Sequence, residues 1–91
     1  MYKIKQYTRE QAKKLGVEVK ASTNSKKKLD VFKNGSKIAS IGAIGYDDYP
    51  TFVQKYGKEY ADERQRLYKS RHEKDRHYTG SPGYYADKLL W

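Results

Sequence analysis

An Asn-Gly pair set between two apolar runs leaves a chain few choices. Asn34-Gly35 separates Leu29-Asp30-Val31-Phe32-Lys33 from Ser36-Lys37-Ile38-Ala39-Ser40-Ile41. It supplies the two positive φ values that a type I′ turn requires, so these residues predict a β-hairpin. With a two-residue turn, Lys33 faces Ser36, Phe32 faces Lys37, Val31 faces Ile38 and Leu29 faces Ser40. That register puts Leu29, Val31 and Ile38 on one face, the expected core side, and Phe32, Ala39 and Ile41 on the other. Two strands do not persist alone in water, so other elements must cover them. Val17 to Ser22 alternates and offers a third strand, giving a meander of 17–22, 28–33 and 36–41.

The flanking residues read mostly as helices. Residues 2–7 are mixed, and Tyr2 and Ile4 fit an edge strand. Thr8-Arg9-Glu10-Gln11 has the form of a capping box, with Tyr7 and Ala12 at the staple positions. Gly16 follows Leu15 where a left-handed residue ends a helix. Gly42-Ala43-Ile44-Gly45 lacks the spacing of a phosphate-cradling loop and reads as a crossover. Asp47-Asp48-Tyr49-Pro50 opens a helix carrying Phe52, Val53 and Tyr56 on one side and stopping near Gly57. A long charged helix should run from Lys58 to His77, with Asp62–Arg66, Lys69–Glu73 and Arg71–Asp75 as i,i+4 pairs. Tyr60, Ala61, Leu67 and Tyr68 form its apolar stripe, and Arg64 and Arg71 fall inside that stripe. Ser81-Pro82 reads as the cap and first position of a last helix, with Tyr85, Ala86, Leu89 and Leu90 on its apolar side. The fold class expected is α+β, a small antiparallel sheet packed against C-terminal helices, in one domain of residues 1–91.

Charge divides this domain. The chain has 91 residues and a net charge of +9, which favours polyanions or acidic protein surfaces as partners. Residues 1–46 carry 11 Lys and Arg against 3 Asp and Glu, whereas residues 47–91 carry 9 against 8. The arginines of the long helix are largely matched by Glu59, Asp62, Glu63, Glu73 and Asp75. The polyanion-seeking surface therefore falls on the lysine half, in Lys13, Lys14, Lys20, Lys26, Lys27, Lys28, Lys33 and Lys37. Lysine suits diffuse phosphate attraction more than bidentate base reading. The alternative is a solvated surface that keeps a small protein soluble. Eight of the ten tyrosines lie from Tyr46 onward, away from this set.

A second set, Arg64, Tyr68, Arg71, Tyr84, Tyr85, Leu89, Leu90 and Trp91, has the composition of protein–protein hot spots. The alternative is that these rings pack the domain's own core. No catalytic constellation stands out. Asp47-Asp48 is explained by helix capping, and His72 and His77 lack the spacing of a metalloprotease helix. No enzyme activity, metal or cofactor is expected. The chain has no cysteine, no apolar run long enough for a membrane span and no signal-peptide pattern, so an intracellular product is expected.

The segments LDVFKNGSKIASIGAIGYDDYPTF, DERQRLYKSRHEKDR and GSPGYYADKLLW resemble a family of small basic proteins of large nucleocytoplasmic DNA viruses, the phycodnavirus and mimivirus groups. Asn34, Gly35, Tyr46, Asp48, Tyr49, Tyr68, Arg71, His72, Gly83, Tyr84, Leu89, Leu90 and Trp91 carry the resemblance, which spans most of residues 28–91. It implies a viral origin and a virion or DNA-associated role, with no catalytic residue to carry over. The function expected is that of a non-enzymatic viral structural protein, such as a minor capsid or cement component. Its aromatic half would dock on other virion or capsid proteins. The alternative is sequence-tolerant binding of a DNA or RNA backbone through the lysines.

Overall fold

The computed structural model describes residues 2–91. Its elements are α1 (Gln6–Leu15), β1 (Glu18–Ala21), β2 (Lys27–Lys33), β3 (Ser36–Ala43), α2 (Tyr49–Tyr56), α3 (Lys58–Arg71) and α4 (Pro82–Leu90). The strands form an antiparallel meander in the order β1-β2-β3, and β3 packs against α4. The α+β class and the meander follow the sequence pattern. No helix among the described residues is long and apolar enough to cross a membrane.

The hairpin turn is as anticipated, with φ of 52° at Asn34 and 80° at Gly35. The register beyond it is not. Lys33 pairs with Ser36 and Phe32 with Lys37, but Val31 then pairs with Ala39 and Leu29 with Ile41. A bulge opposite Val31 and Phe32 absorbs Ile38, and an extra residue in one strand inverts every later side chain. Ala39 and Ile41 thus join Leu29 and Val31 in the core, while Ile38 is 38% exposed. The gain is physical: the buried face acquires two apolar residues of β3 where the unbulged register would bury Ile38 with Ser40.

Ala12, Val17, Tyr85, Leu89 and Leu90 complete that core. Helix α1 begins at Gln6 with no side-chain cap, so Thr8 is not its N-cap. Thr8 is buried and its hydroxyl donates to the Leu89 carbonyl at 2.8 Å, tying α1 to the end of α4. Gly16, at φ 73°, ends α1 as expected. Its amide bonds to the Lys13 carbonyl and that of Val17 to the Ala12 carbonyl, which turns Val17 back onto the core. The expected edge strand at residues 2–7 is absent. Tyr2 and Ile4 instead pack as irregular chain against the core.

Asp48 caps α2 by accepting from the Thr51 amide at 3.1 Å, and Ser81 caps α4 by accepting from the Tyr84 amide. Helix α3 stops at Arg71, six residues short of His77, and residues 72–80 are turns. The ion pairs also differ from those anticipated. Asp62 takes Lys58, Glu63 takes Arg66, and Lys69 leaves the helix to reach Asp87 of α4 at 2.7 Å. Arg76 lies 2.9 Å from Glu73 and 3.7 Å from Asp87. The buried Asp87 therefore draws the chain after α3 back over α4, and a straight continuation of α3 would carry Arg76 away.

Candidate functional site

The seven-residue spacing of Arg64 and Arg71 and the four-residue spacing of Arg64, Tyr68 and His72 put all four on one side of α3. That side forms a wall of a cleft of about 640 Å³. Tyr68 stacks on Trp91 with centroids 4.3 Å apart and planes 6° apart. His72 lies over the Tyr68 ring, also at 4.3 Å. Burial pushes the Tyr68 hydroxyl above its ordinary pKa, and the Asp87 carboxylate adds to this. Phe52, brought in by α2, meets Trp91 at 6.0 Å, and the Arg64 guanidinium sits 5.5 Å from the Phe52 centroid. The Gln65 side-chain amide donates to the Trp91 carbonyl and fixes the end of the stack.

Leu90, Ala86 and Gly42 also line the cleft. Glycine is required at 42 on two counts. Its φ is +78°, and a Cβ there would lie 2.8 Å from Leu90 Cδ1 and 3.0 Å from the Lys28 side chain. The opposite rim is the β3–α2 loop, where Tyr46 is 75% exposed and Asp47 is held by Lys55 at 3.2 Å.

Behind this rim lies a buried charge network. Lys28 and Asp48 are 5% and 1% exposed, with Lys28 Nζ 3.1 Å from Asp48 Oδ2 and also donating to the Tyr46 carbonyl. The Tyr2 hydroxyl donates to Asp48 Oδ2 at 2.6 Å. Burial would raise the Asp48 pKa, but bonds from Thr51 and Tyr2 and the Lys28 charge outweigh it and hold the carboxyl below the usual range. Burial and the adjacent Asp48 push the Tyr2 phenol well above its ordinary value. The network locks the N-terminal segment, β2 and the loop before α2 in place.

The lysine set does not form one patch. Lys28 leaves it, because it is buried and neutralised by Asp48. Lys13 and Lys14 lie in the last turn of α1, and Lys20 sits over the Phe32 ring. Lys33 and Lys37 flank the hairpin turn, where Lys37 lies 3.7 Å from the buried Asp30. Lys26 and Lys27 are at the other end of β2, about 20 Å away. The backbone of this last pair is joined to the end of β3: Lys27 pairs with Ala43, and the Ile44 amide bonds to the Lys26 carbonyl.

The C-terminal set divides as well. Arg64, Tyr68, Arg71 and Trp91 line the cleft, with Leu90 buried alongside them. Tyr85 and Leu89 belong to the core, so they are not free for a partner. Tyr84 packs edge-on to Tyr85 with Lys88 over its ring, apart from the cleft residues. Among the described residues, neither Arg64 nor Arg71 forms a salt bridge. The charge balance of the second half is therefore not a pairing of these two arginines. His77 bonds to Glu73, and no cluster of three metal-ligand types forms among the described residues.

Tyr46, Phe52 and Asp87 are not among the site residues expected from the sequence, which marks Phe52 only as an apolar helix position and Tyr46 only as part of the resemblance. Asp87 stands between Ala86 and Leu89, and a carboxylate beside a buried pair is itself a signal that cations must come to it. Lys69, Arg76 and Lys88 do so. Comparison with known protein families, curated proteins and solved structures finds no match to this chain. Guanidinium, imidazole and ring faces converge in the cleft, groups suited to hold flat or anionic ligands.

Proposed function

We propose that this chain is a non-enzymatic, sequence-tolerant binding protein for the nucleic-acid backbone, in keeping with the DNA-associated role the viral resemblance implies. One observation carries this reading. Arg64 and Arg71, neither of which has a carboxylate partner among the described residues, line one concave surface together. Unpaired guanidinium groups carry charge that a polyanion can neutralise, and phosphate contacts of this kind carry no sequence information by themselves. The net charge of +9 adds long-range attraction.

The test is a salt titration of binding to DNA of mixed sequence. The reading requires log affinity to fall linearly with log salt concentration. No detectable binding at low salt removes it.

A second reading, the minor capsid or cement role, is favoured by a different observation. Val53 and Tyr56 of α2 and Tyr60 and Leu67 of α3 are exposed, and the Tyr56 and Tyr60 rings touch at 4.8 Å. Exposed apolar groups on adjoining helices suit docking on virion or capsid proteins. Protein mapping of purified particles tests this, and abundance in infected cells with absence from virions would sink it. The localisation proposed is the virion, with the host cytoplasm or nucleus before assembly.

A further inference from the structure

We infer that the cleft takes single-stranded rather than duplex nucleic acid, with bases stacking on a run of rings along α3. This rests on the polyanion reading above and deepens it. The observation is the continuity of the rings. Tyr56 meets Tyr60 at 4.8 Å, Tyr60 meets Phe52 at 5.6 Å, and Phe52 meets Trp91 at 6.0 Å. Trp91 then meets Tyr68 at 4.3 Å, and Tyr68 meets His72 at 4.3 Å. Arg64 and Arg71 punctuate this run, about 10 Å apart along the helix. Grooves that bind single strands without sequence preference combine these two features, cations for the backbone and rings for the bases.

Shape separates single strand from duplex. A duplex presents phosphates on a convex rod and keeps its bases stacked inside, so it reaches a concave site with a base only by flipping a nucleotide out. A single strand has free base faces to offer. The inner rings, Tyr68 and Trp91, already stack on each other, so they serve as the rigid backing. Bases are left the outward members: His72 in the cleft, Tyr46 across its rim, 75% exposed, and Tyr60 and Tyr56 on the exposed α2–α3 surface where the run of rings leaves the cleft. From Tyr60 to His72 the helix rises about 18 Å, enough for a short stretch of about four nucleotides, the lower end of known single-strand site sizes.

The experiment compares an oligothymidylate of about 12 nucleotides with a duplex of equal length at matched ionic strength. It uses the intact chain and a Tyr46→Ala/His72→Ala variant shown by circular dichroism to remain folded. Trp91 is the sole tryptophan and lines the cleft, so its fluorescence in the unaltered protein gives a readout independent of any variant. Expected are preference for the single strand, about tenfold weaker single-strand binding by the ring variant with duplex binding little changed, and quenching of Trp91 by the single strand alone. Equal affinity for both nucleic acids, with the ring variant unaffected and Trp91 unquenched, overturns the inference and leaves the polyanion reading standing. Absence of binding to either at low salt overturns both. Polyglutamate binding as tightly as the single strand, with the same quenching, also overturns the inference and assigns the cleft to an acidic protein segment.

Discussion

The buried Lys28–Asp48 pair gives the most demanding test of how the cleft rim is held. At 3.1 Å the attraction is about 5 kcal/mol at an effective dielectric constant of about 20, before desolvation of both ions is set against it. Replacing Asp48 by Asn keeps a good N-cap residue for α2 and an oxygen for the Tyr2 hydroxyl, but leaves the Lys28 charge buried and unpaired. Breaking such a pair from one side costs about 3 kcal/mol or more. A chain of this length has roughly 5–14 kcal/mol of stability in all, so the loss is large and easily read from urea midpoints. The double variant Lys28→Met/Asp48→Asn removes the orphaned charge and should recover most of the loss, with a coupling energy of at least about 2 kcal/mol. Because the pair is buried, added salt should change these values little. A cost below about 1 kcal/mol for Asp48→Asn, with single and double variants additive within about 0.5 kcal/mol, would refute the reasoning.

Other expectations follow from the same contacts. Ile38→Lys should cost less than about 0.5 kcal/mol and Ile41→Ala about 3 kcal/mol by denaturant unfolding; the reverse order would reinstate the unbulged register. Gly42→Ala meets both a positive φ and the Leu90 and Lys28 side chains, and should cost over about 1 kcal/mol by the same measurement. Stability should also depend on pH at both ends. Despite burial, Asp48 and Asp30 are held below their unfolded pKa values, Asp30 by Ser22, Ser40, the Thr23 amide and Lys37. Their contribution is therefore full above about pH 4 and is lost as pH falls through the folded values. Tyr2 is shifted upward, so its contribution is present below about pH 10 and is lost as the unfolded phenol ionises. Urea midpoints across the pH range should show both limbs, and Asp48→Asn should flatten each of them.

Local chemistry made the hairpin turn, the Gly16 stop and the Ser81 cap readable, because each depends on residues adjacent in the chain. The bulge was not, since the two-residue turn fixes the register only next to it, and Ile38 as well as Ala39 and Ile41 offers an apolar side chain to the core. Packing against Leu89 and Leu90, far along the chain, selects between them. Thr8 misled for a related reason. Its spacing to Gln11 matches a capping box, but its hydroxyl partner is the Leu89 carbonyl, 81 residues away. The end of α3 carries no local stop signal either, as the charged run continues and only the buried Asp87 pulls Arg76 aside. Within the cleft, Arg64 and Arg71 were visible as charges in an apolar stripe. Tyr46 and Phe52 were not, because the turn into α2 and the α2–α3 hairpin bring them there. Lys28 read as one more surface lysine until Asp48, 20 residues on, met it inside the fold.

The most direct test of the binding account is the salt dependence of single-strand affinity in Arg64→Gln/Arg71→Gln beside that of the unaltered chain. If both arginines hold phosphates, the magnitude of the log–log slope should fall by about 1.4, while Lys33→Gln/Lys37→Gln, at the far end of the hairpin, should leave it unchanged. An unaltered slope in the arginine variant, with a drop in the lysine variant, would contradict the account and place the polyanion on the hairpin turn.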